Sequence, residues 1–340
     1  MRCRDSAAAG RGRWAIALAA LAVAIPSTTA CSRPVKPARV SRAQPVFEAE
    51  VEAAKRQSER RCSDRWSLLF PGMAQMCRGK NIEAGALMAL GTLELGTAIT
   101  VGVREGFNHP GAALPLVGVQ DLWLYSNTEP LVDRALAAQA LYAPQESLSD
   151  MLAAPFNVQV LKKPEVWAGT LGLLAVGIGA TRLLEGPRAT DTSQAWDDPN
   201  LFGRTIDARY GYPLGIGVGA GLFSHVAIAE EIVFRGALQS GLARSQGEFK
   251  GWLWASLAFG LTHSFNAFAL PADDRRQYLL YAVPVITALG SYMGYAYQRT
   301  DYSLSVPVAI HFWYDLLLST TFFVLDPRQS PLSASISFSF

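Results

Sequence analysis

Seven ionisable residues interrupt the long apolar segments in the last third of the chain. They are His225, Glu230, Glu231, Arg235, His263, His311 and Asp315. An ionisable side chain inside an apolar segment of membrane-spanning length is costly, so it indicates function by default. A carboxylate there is suited to act as a general base, and a histidine is suited to orient water or to support developing charge.

Helical spacing pairs some of these residues and leaves one carboxylate free. Glu231 and Arg235 are four residues apart, which allows an ion pair on one helix face. Glu230 points about 100° away from Glu231 and has no local partner. One neutralised carboxylate beside one free carboxylate is what a buried general base requires. His225 has no comparable support and is predicted to be structural.

The remaining residues repeat this spacing at similar depths in the membrane. His311 and Asp315 share one helix face, as do Phe259 and His263. Depth is measured from the membrane face at the loop that follows the apolar segment with Glu230. At 1.5 Å per residue, Glu230 lies roughly 12 Å and His263 roughly 18 Å from that face. His311 lies roughly 10 Å and Asp315 roughly 16 Å from the same face. These four side chains are therefore predicted to converge in one layer.

Composition places the residues in a membrane protein. Half of the 340 residues are hydrophobic and only 17% are charged, against roughly 25% in soluble domains. The mean hydropathy of +0.16 excludes a disordered or nucleic-acid-coating protein and argues against a soluble enzyme. The net charge of +2 is too balanced to indicate a polyanionic partner. The four cysteines all lie within the first 77 residues, so the apolar segments hold no thiol nucleophile.

Apolar runs of spanning length predict an all-α, polytopic helical bundle with a four-helix catalytic core. A weaker run at 112–127 is short and contains Gln120 and Asp121. The full-length runs lie at about 82–103, 166–185, 213–238, 251–270, 278–298 and 304–325. The last four form a compact block that holds every ionisable residue named above.

The rest of the chain divides by composition. Arginines followed by a short apolar run predict a signal peptide at 1–30, with lipoprotein-type cleavage before Cys31, ordinary cleavage after Ala30 or an uncleaved anchor as alternatives. The further predicted regions are a polar linker with a short helix at 31–65, a membrane-helical region at 66–185, a polar loop at 186–212, the core at 213–325 and a tail at 326–340.

A turn sequence precedes the first full apolar run. The stretch from Pro71 through Gly72 to Gln75 resembles the Pro-Gly-x-x-Gln turn that opens small bacterial two-helix membrane modules. This resemblance implies no chemistry. The residues favour a re-entrant turn that packs against the following helix.

Three motifs in the core resemble those of the CPBP intramembrane proteases, which include the CaaX prenyl proteases. The stretch from Glu230 to Arg235 resembles their Glu-Glu-x-x-x-Arg motif, with Glu231 as its second glutamate. Phe259 to His263 is similar to their Phe-x-x-x-His motif, and His311 to Asp315 is similar to their His-x-x-x-Asn/Asp motif. The resemblance covers about 213–325, a third of the chain.

The resemblance implies hydrolysis of a peptide bond inside the membrane. Glu230 takes the position of the general base that activates a water, and His263 and His311 orient that water and support the developing charge. Glu231, Arg235 and Phe259 take supporting positions.

Asp315 departs from the asparagine that would donate to the oxyanion. An ionised carboxylate cannot donate a hydrogen bond and would repel an oxyanion. Asp315 therefore either carries a proton, or accepts from His311 as an orienting group, or binds metal. Glu230, His263, His311 and Asp315 are formally a zinc ligand set, but the relatives imply a metal-free mechanism, so no cofactor is predicted and zinc is the alternative.

The sequence thus predicts a multi-pass protein of the bacterial inner membrane that hydrolyses a membrane-associated peptide or protein. Membrane lipid and this substrate are the predicted partners, and no nucleic acid is expected. One alternative is an inactive scaffold or immunity-type member of the same fold. The other is a proton-coupled transporter, which the weak Gly/Pro interruption of the spans argues against.

The side of the membrane to which the site opens depends on whether the weak apolar run at 112–127 spans the membrane. If residue 31 is exported and 112–127 does not span, the loop at 239–250 is cytoplasmic, which is the orientation that the relatives imply and that we expect. If 112–127 spans, the site opens outward. Flanking positive charges do not decide between the two.

Overall fold

Helices form nearly all of the ordered elements, as the long apolar runs predict. The computed structural model describes residues 64–107, 110–138, 140–142, 146–185, 192–201, 204–270 and 272–328. The predicted signal peptide, the cleavage site at Cys31 and nearly all of the linker at 31–65 lie outside these residues.

The N-terminal half contains seven helices within the described residues. Two of them, α3 and α4, form an antiparallel pair, and α7 is the third long helix. The seven are α1 (Asp64–Ser67), α2 (Met73–Cys77), α3 (Asn81–Glu105), α4 (Pro110–Ala137), α5 (Leu148–Ala153), α6 (Val158–Leu161) and α7 (Pro164–Glu185), with a 3₁₀ turn at Ala154–Phe156 between α5 and α6.

The C-terminal half contains the four predicted core spans, preceded by a short antiparallel hairpin. The hairpin strands are β1 (Asn200–Leu201) and β2 (Arg204–Thr205). The helices are α8 (Ala208–Glu231), α9 (Ser240–Gln246), α10 (Glu248–His263), α11 (Ala272–Gln277), α12 (Val283–Arg299) and α13 (Ser305–Leu325). Wider π-helical turns at Ile232–Gln239 and Tyr278–Ala282 join α8 to α9 and α11 to α12, and a 3₁₀ segment at Ser264–Ala269 follows α10.

Four of the described helical stretches are long and apolar enough to cross a membrane. They are Asn81–Glu105, Ala208–Gln246, Asp274–Arg299 and Ser305–Leu325. The prediction of an all-α, polytopic membrane protein is therefore confirmed. The second core span is shorter than the apolar run at 251–270 predicts, because α10 ends at His263 and the chain continues to residue 269 as a 3₁₀ helix.

The weak apolar run is part of a much longer helix than its hydropathy indicates. The 28 residues of α4 extend well beyond 112–127, and at 1.5 Å per residue they measure about 42 Å. Its last turns contain Glu129 and Asp133, which lower the local hydropathy but are ion-paired with Arg78, and Glu129 also with Lys80. Because these charges are paired within the protein, α4 has the length and the internal partners to cross a membrane.

The turn before α3 packs against both following helices. Gly72 has φ +87°, and a Cβ at this position would lie 2.6 Å from the carbonyl oxygen of Ala84, so only glycine fits. Its N–H donates to Ser126 Oγ over 2.9 Å. The side-chain amide of Gln75 donates to the Ser126 carbonyl and to Glu129. This arrangement agrees with the predicted packing. In the Pro-Gly-x-x-Gln spacing, the glycine and the glutamine both form hydrogen bonds to α4.

Further contacts show which helix ends share one face of the bundle. The N–H of Tyr142 donates to Ser240 Oγ, and the Ser240 hydroxyl donates to the Tyr142 carbonyl. Glu146 accepts the N–H of Leu304 at the start of α13. The beginnings of α3, α9 and α13 and the end of α4 therefore lie on the same side.

Candidate active site

Glu230 faces both predicted histidines. Its Oε2 lies 3.7 Å from Nε2 of His263 and 3.8 Å from Nε2 of His311. The three side chains come from α8, α10 and α13, and Glu230 is the least buried of them, with 13% of its side chain exposed. The predicted convergence of these groups in one layer agrees with the geometry, while their catalytic roles stay a prediction.

A backbone carbonyl fixes the ring of His263. Its Nδ1 lies 2.6 Å from the carbonyl oxygen of Phe259, one helical turn earlier. A carbonyl only accepts hydrogen bonds, so Nδ1 carries the proton of this contact, and Nε2 is the nitrogen that faces Glu230. Tyr278 donates its hydroxyl to the His263 carbonyl, which ties the end of α10 to the start of the next span.

Glu231 connects two of the three motifs. Its Oε1 lies 3.2 Å from Nη1 of Arg235, which forms the predicted ion pair. The same oxygen lies 2.9 Å from Nδ1 of His311, a contact that the sequence analysis missed. Arg235 and His311 both donate to this carboxylate oxygen, and Nε2 of the His311 ring faces Glu230.

Arg235 is held from three directions. Besides Glu231, its guanidinium donates from Nη2 to the carbonyl of Gly290 over 2.7 Å, and it lies 4.6 Å above the centre of the Phe259 ring. The residue is 1% exposed and belongs to the π-helical turn after α8. The buried guanidinium of Arg235 therefore links α8, α10 and α12, and the supporting residues Glu231, Arg235 and Phe259 form one network.

Asp315 lies on the far side of the His311 ring from Glu231. Its Oδ2 is 3.3 Å from Nε2 of His311, and the residue is fully buried. Neither of its carboxylate oxygens has a hydrogen-bond partner within the part of the chain that the structure describes. Because Nδ1 of His311 donates to Glu231, Nε2 is the ring nitrogen that faces Asp315 as well as Glu230.

The zinc alternative concerns the same four side chains. Among the described residues, no three His, Cys, Asp or Glu side chains have a geometry that would hold a metal ion. The distances of 3.7 and 3.8 Å between Glu230 and the two ring nitrogens are ones that a bridging water would fill.

Three residues near the site were not predicted to belong to it. Asp121 on α4 interacts electrostatically with Glu230 and His311, and also with Glu94 on α3. Glu94 in turn lies 3.1 Å from Nε2 of His225. In the sequence, Asp121 was noted only as a charged residue that lowers the hydropathy of the apolar run at 112–127. An unpaired carboxylate in an apolar run was the signal available, and no spacing rule linked it to a helix more than 100 residues away.

Comparison with known proteins agrees with the three motifs. Neither curated proteins nor solved structures gave a match. One family did, over a segment that contains Glu230, His263 and His311 and that covers about a third of the chain. Residues 213–317 match the family of type II CAAX prenyl endopeptidase Rce1-like proteins, which confirms the family resemblance of the three motifs.

Proposed function

We propose that the protein is an intramembrane endopeptidase in which Glu230 activates the attacking water. The observation that carries this proposal is the position of the Glu230 carboxylate, which faces the Nε2 atoms of His263 and His311 at 3.7 and 3.8 Å. Three helices of a membrane-spanning bundle supply these groups. The family match over the same segment supports a protease.

A water between Glu230 and the two rings would be hydrogen-bonded to all three. Both Nδ1 atoms are committed, to the Phe259 carbonyl and to Glu231, so the water meets the two rings at their Nε2 atoms, and at His311 it shares that nitrogen with Asp315. As the water oxygen bonds to the scissile carbonyl carbon, its proton passes to Glu230 and the carbonyl π electrons move to oxygen. The oxyanion then collapses, the C–N bond breaks, and Glu230 returns the proton to the leaving nitrogen.

We infer that His311 and Asp315 support the oxyanion. When Nε2 of His311 carries a proton, the ring is an imidazolium that donates to the oxyanion, and the Asp315 carboxylate stabilises its charge. When the proton is on Asp315, the carboxyl group itself is the donor. In both cases Glu231 holds the ring in the same orientation from the other nitrogen.

The first test is hydrolysis by the purified protein in lipid vesicles. A membrane-anchored peptide with a prenylated C-terminal cysteine motif is the first substrate, because the matched family is named for CAAX prenyl endopeptidases. We expect cleavage by the parent protein and none by Glu230→Gln, which keeps the shape of the side chain and removes the base. Mass spectrometry of peptides bound to Glu230→Gln would identify other substrates. Cleavage by Glu230→Gln at the parent rate would overturn the proposal.

The second test concerns Asp315 and separates the glutamate mechanism from a metal mechanism. An amide at this position donates to the oxyanion, and such a donor contributes about 3–4 kcal/mol. We therefore expect Asp315→Asn to retain or increase activity in the presence of a chelator. If Asp315 mainly stabilises a charged His311, the same variant should lose activity moderately. A complete loss together with loss of bound metal would contradict the metal-free mechanism.

A further inference from the structure

A tyrosine from the third core span contacts the residue at which α10 ends. Tyr278 donates its hydroxyl to the carbonyl oxygen of His263 over 3.1 Å. The apolar run predicts a helix up to residue 270, and residues 264–269 contain no glycine or proline that would end it earlier. The α-helix nevertheless ends at His263 and continues as a 3₁₀ segment. The early end therefore falls at a site residue, and at the carbonyl that Tyr278 holds.

A helix end inside a membrane needs partners for its last carbonyl groups. These groups have no intrahelical partner, and hydrocarbon offers none. At the end of α10, the Ser264 hydroxyl donates to the carbonyl of Leu261 over 2.6 Å, and Tyr278 donates to the carbonyl of His263. Ser264 belongs to the same segment of chain as α10. Tyr278 is thus the donor that joins this helix end to another span.

Tyr278 is placed differently from its neighbours in the π-helical turn Tyr278–Ala282. Its side chain is buried, with 3% exposed, whereas the three residues that follow it are exposed: Leu279, Leu280 and Tyr281. Turns of this kind occur frequently at functional sites. Within this turn, Tyr278 therefore packs inward against the end of α10 while its neighbours face outward.

Asn266 orients the Tyr278 hydroxyl. The Asn266 side-chain amide donates to the Tyr278 hydroxyl oxygen over 3.4 Å. Because that oxygen accepts from Asn266, its own proton is directed at the His263 carbonyl. His263 is the N-cap of the 3₁₀ segment, and residues three apart in such a helix lie on one side. Asn266, Tyr278 and His263 thus form a chain of hydrogen bonds from amide to hydroxyl to carbonyl.

Two contacts together determine where the His263 ring lies. The bond from its Nδ1 to the Phe259 carbonyl fixes the ring relative to α10. The bond from Tyr278 fixes the end of α10 relative to the third core span. With both in place, Nε2 lies 3.7 Å from Oε2 of Glu230 on α8. Loss of the Tyr278 hydroxyl leaves the ring on its helix but lets the helix end move relative to α8.

We propose that Tyr278 is a positioning residue of the hydrolytic site: it holds His263 at the distance from Glu230 that one water spans, and Asn266 orients its hydroxyl. This inference rests on the proposed function. Tyr278 exchanges no proton with the reacting groups and acts only through the position of His263. The third core span, which carries none of the three motifs, thereby contributes a residue to the site.

The kinetic test compares Tyr278→Phe with the parent protein in vesicles. The substitution removes one oxygen and keeps the ring, and misplacement of a site group by 1 Å can cost about 100-fold in rate. We expect kcat to fall by about 10-fold to 100-fold, with KM little changed, because the hydroxyl bonds to the protein and not to the peptide. Asn266→Ala should lose less, since Tyr278 keeps its bond to His263. Tyr281→Phe is the matched control: it makes the same substitution at an exposed position of the same turn and should match the parent.

Nitrogen-15 magnetic resonance of labelled histidine gives a readout that does not depend on turnover. The chain has four histidines, so the ring signals of His263 are identified by their loss in His263→Gln. We expect Tyr278→Phe to shift or broaden these signals while the signals of His225 keep their positions, and Tyr281→Phe to change none. Unchanged His263 signals in Tyr278→Phe would overturn the proposal even if kcat fell, because the loss would then come from stability alone. Full turnover by Tyr278→Phe with an inactive Glu230→Gln would contradict this inference and leave the proposed function standing.

Discussion

At the scale of single residues, spacing and depth predicted the pairs within one helix and the layer in which side chains of different helices meet, but not every contact between helices. The spacing of four residues predicted that Glu231 would pair with Arg235, because both lie on one helix face. The contact between Glu231 and His311 joins positions 80 residues apart. Only the packing of α8 against α13 creates it, so a spacing rule could not find it.

Glu231 is expected to be a stability residue as well as a site residue. It is fully buried, and its Oε1 faces both Arg235 and His311. Glu231→Gln leaves the buried guanidinium without its counter-charge, and breaking such a pair costs about 3–5 kcal/mol. We expect the variant to accumulate poorly in membranes and to be inactive, as measured by quantitative immunoblot and by peptide cleavage.

Glu230→Gln is the matched control for this prediction. Its side chain makes no ion pair as short as those of Glu231, since the nearest ring nitrogens are 3.7 and 3.8 Å away. We expect normal abundance without turnover. Equal depletion of both variants would mean that Glu230 is a structural residue.

At the scale of elements, the site depends on how closely α10 approaches α12. Gly260 lies on α10 between Phe259, whose carbonyl fixes His263, and His263 itself. A Cβ at residue 260 would lie 1.8 Å from Oγ1 of Thr287 on α12. Small residues at such crossings let membrane helices approach closely. The sequence showed a glycine in the motif but could not show which helix it meets.

Gly260→Ala should therefore disturb the site through the helix spacing. Overpacking of this kind typically costs about 1–3 kcal/mol, and α10 must move away from α12 and carry His263 with it. We expect a lower unfolding temperature and reduced kcat, and a partial recovery of both in the double variant Gly260→Ala/Thr287→Ala. Gly217→Ala is the control, because nothing lies within 4 Å of a Cβ there. Equal effects of the two single variants would contradict the role assigned to this crossing.

At the scale of the whole molecule, the fold class followed from hydropathy, but the number of crossings did not. A hydropathy count treats Glu129 and Asp133 as charges facing lipid, whereas α4 pairs them with Arg78 and Lys80 at the start of α3. Partners contributed by another helix are invisible in a single apolar run. The 28-residue length of α4 therefore favours the topology in which α4 spans the membrane and the site opens outward.

Reporter fusions along the chain test this topology. If residue 31 is exported and α3 and α4 both cross, phosphatase fused after Gly106 should be inactive and after Ala138 active. If α7 and α8 each cross in turn, a fusion after Asp198 should be inactive and one after Ser245 should be active. Ser245 and Asp301 should report the same side, because α10 and the helix that ends at Arg299 form a returning pair. Equal reporter activity at Gly106 and Ala138 would show that α4 does not cross. In that case the loop after Ser245 lies on the opposite side and the site opens to the cytoplasm, as the protease relatives imply.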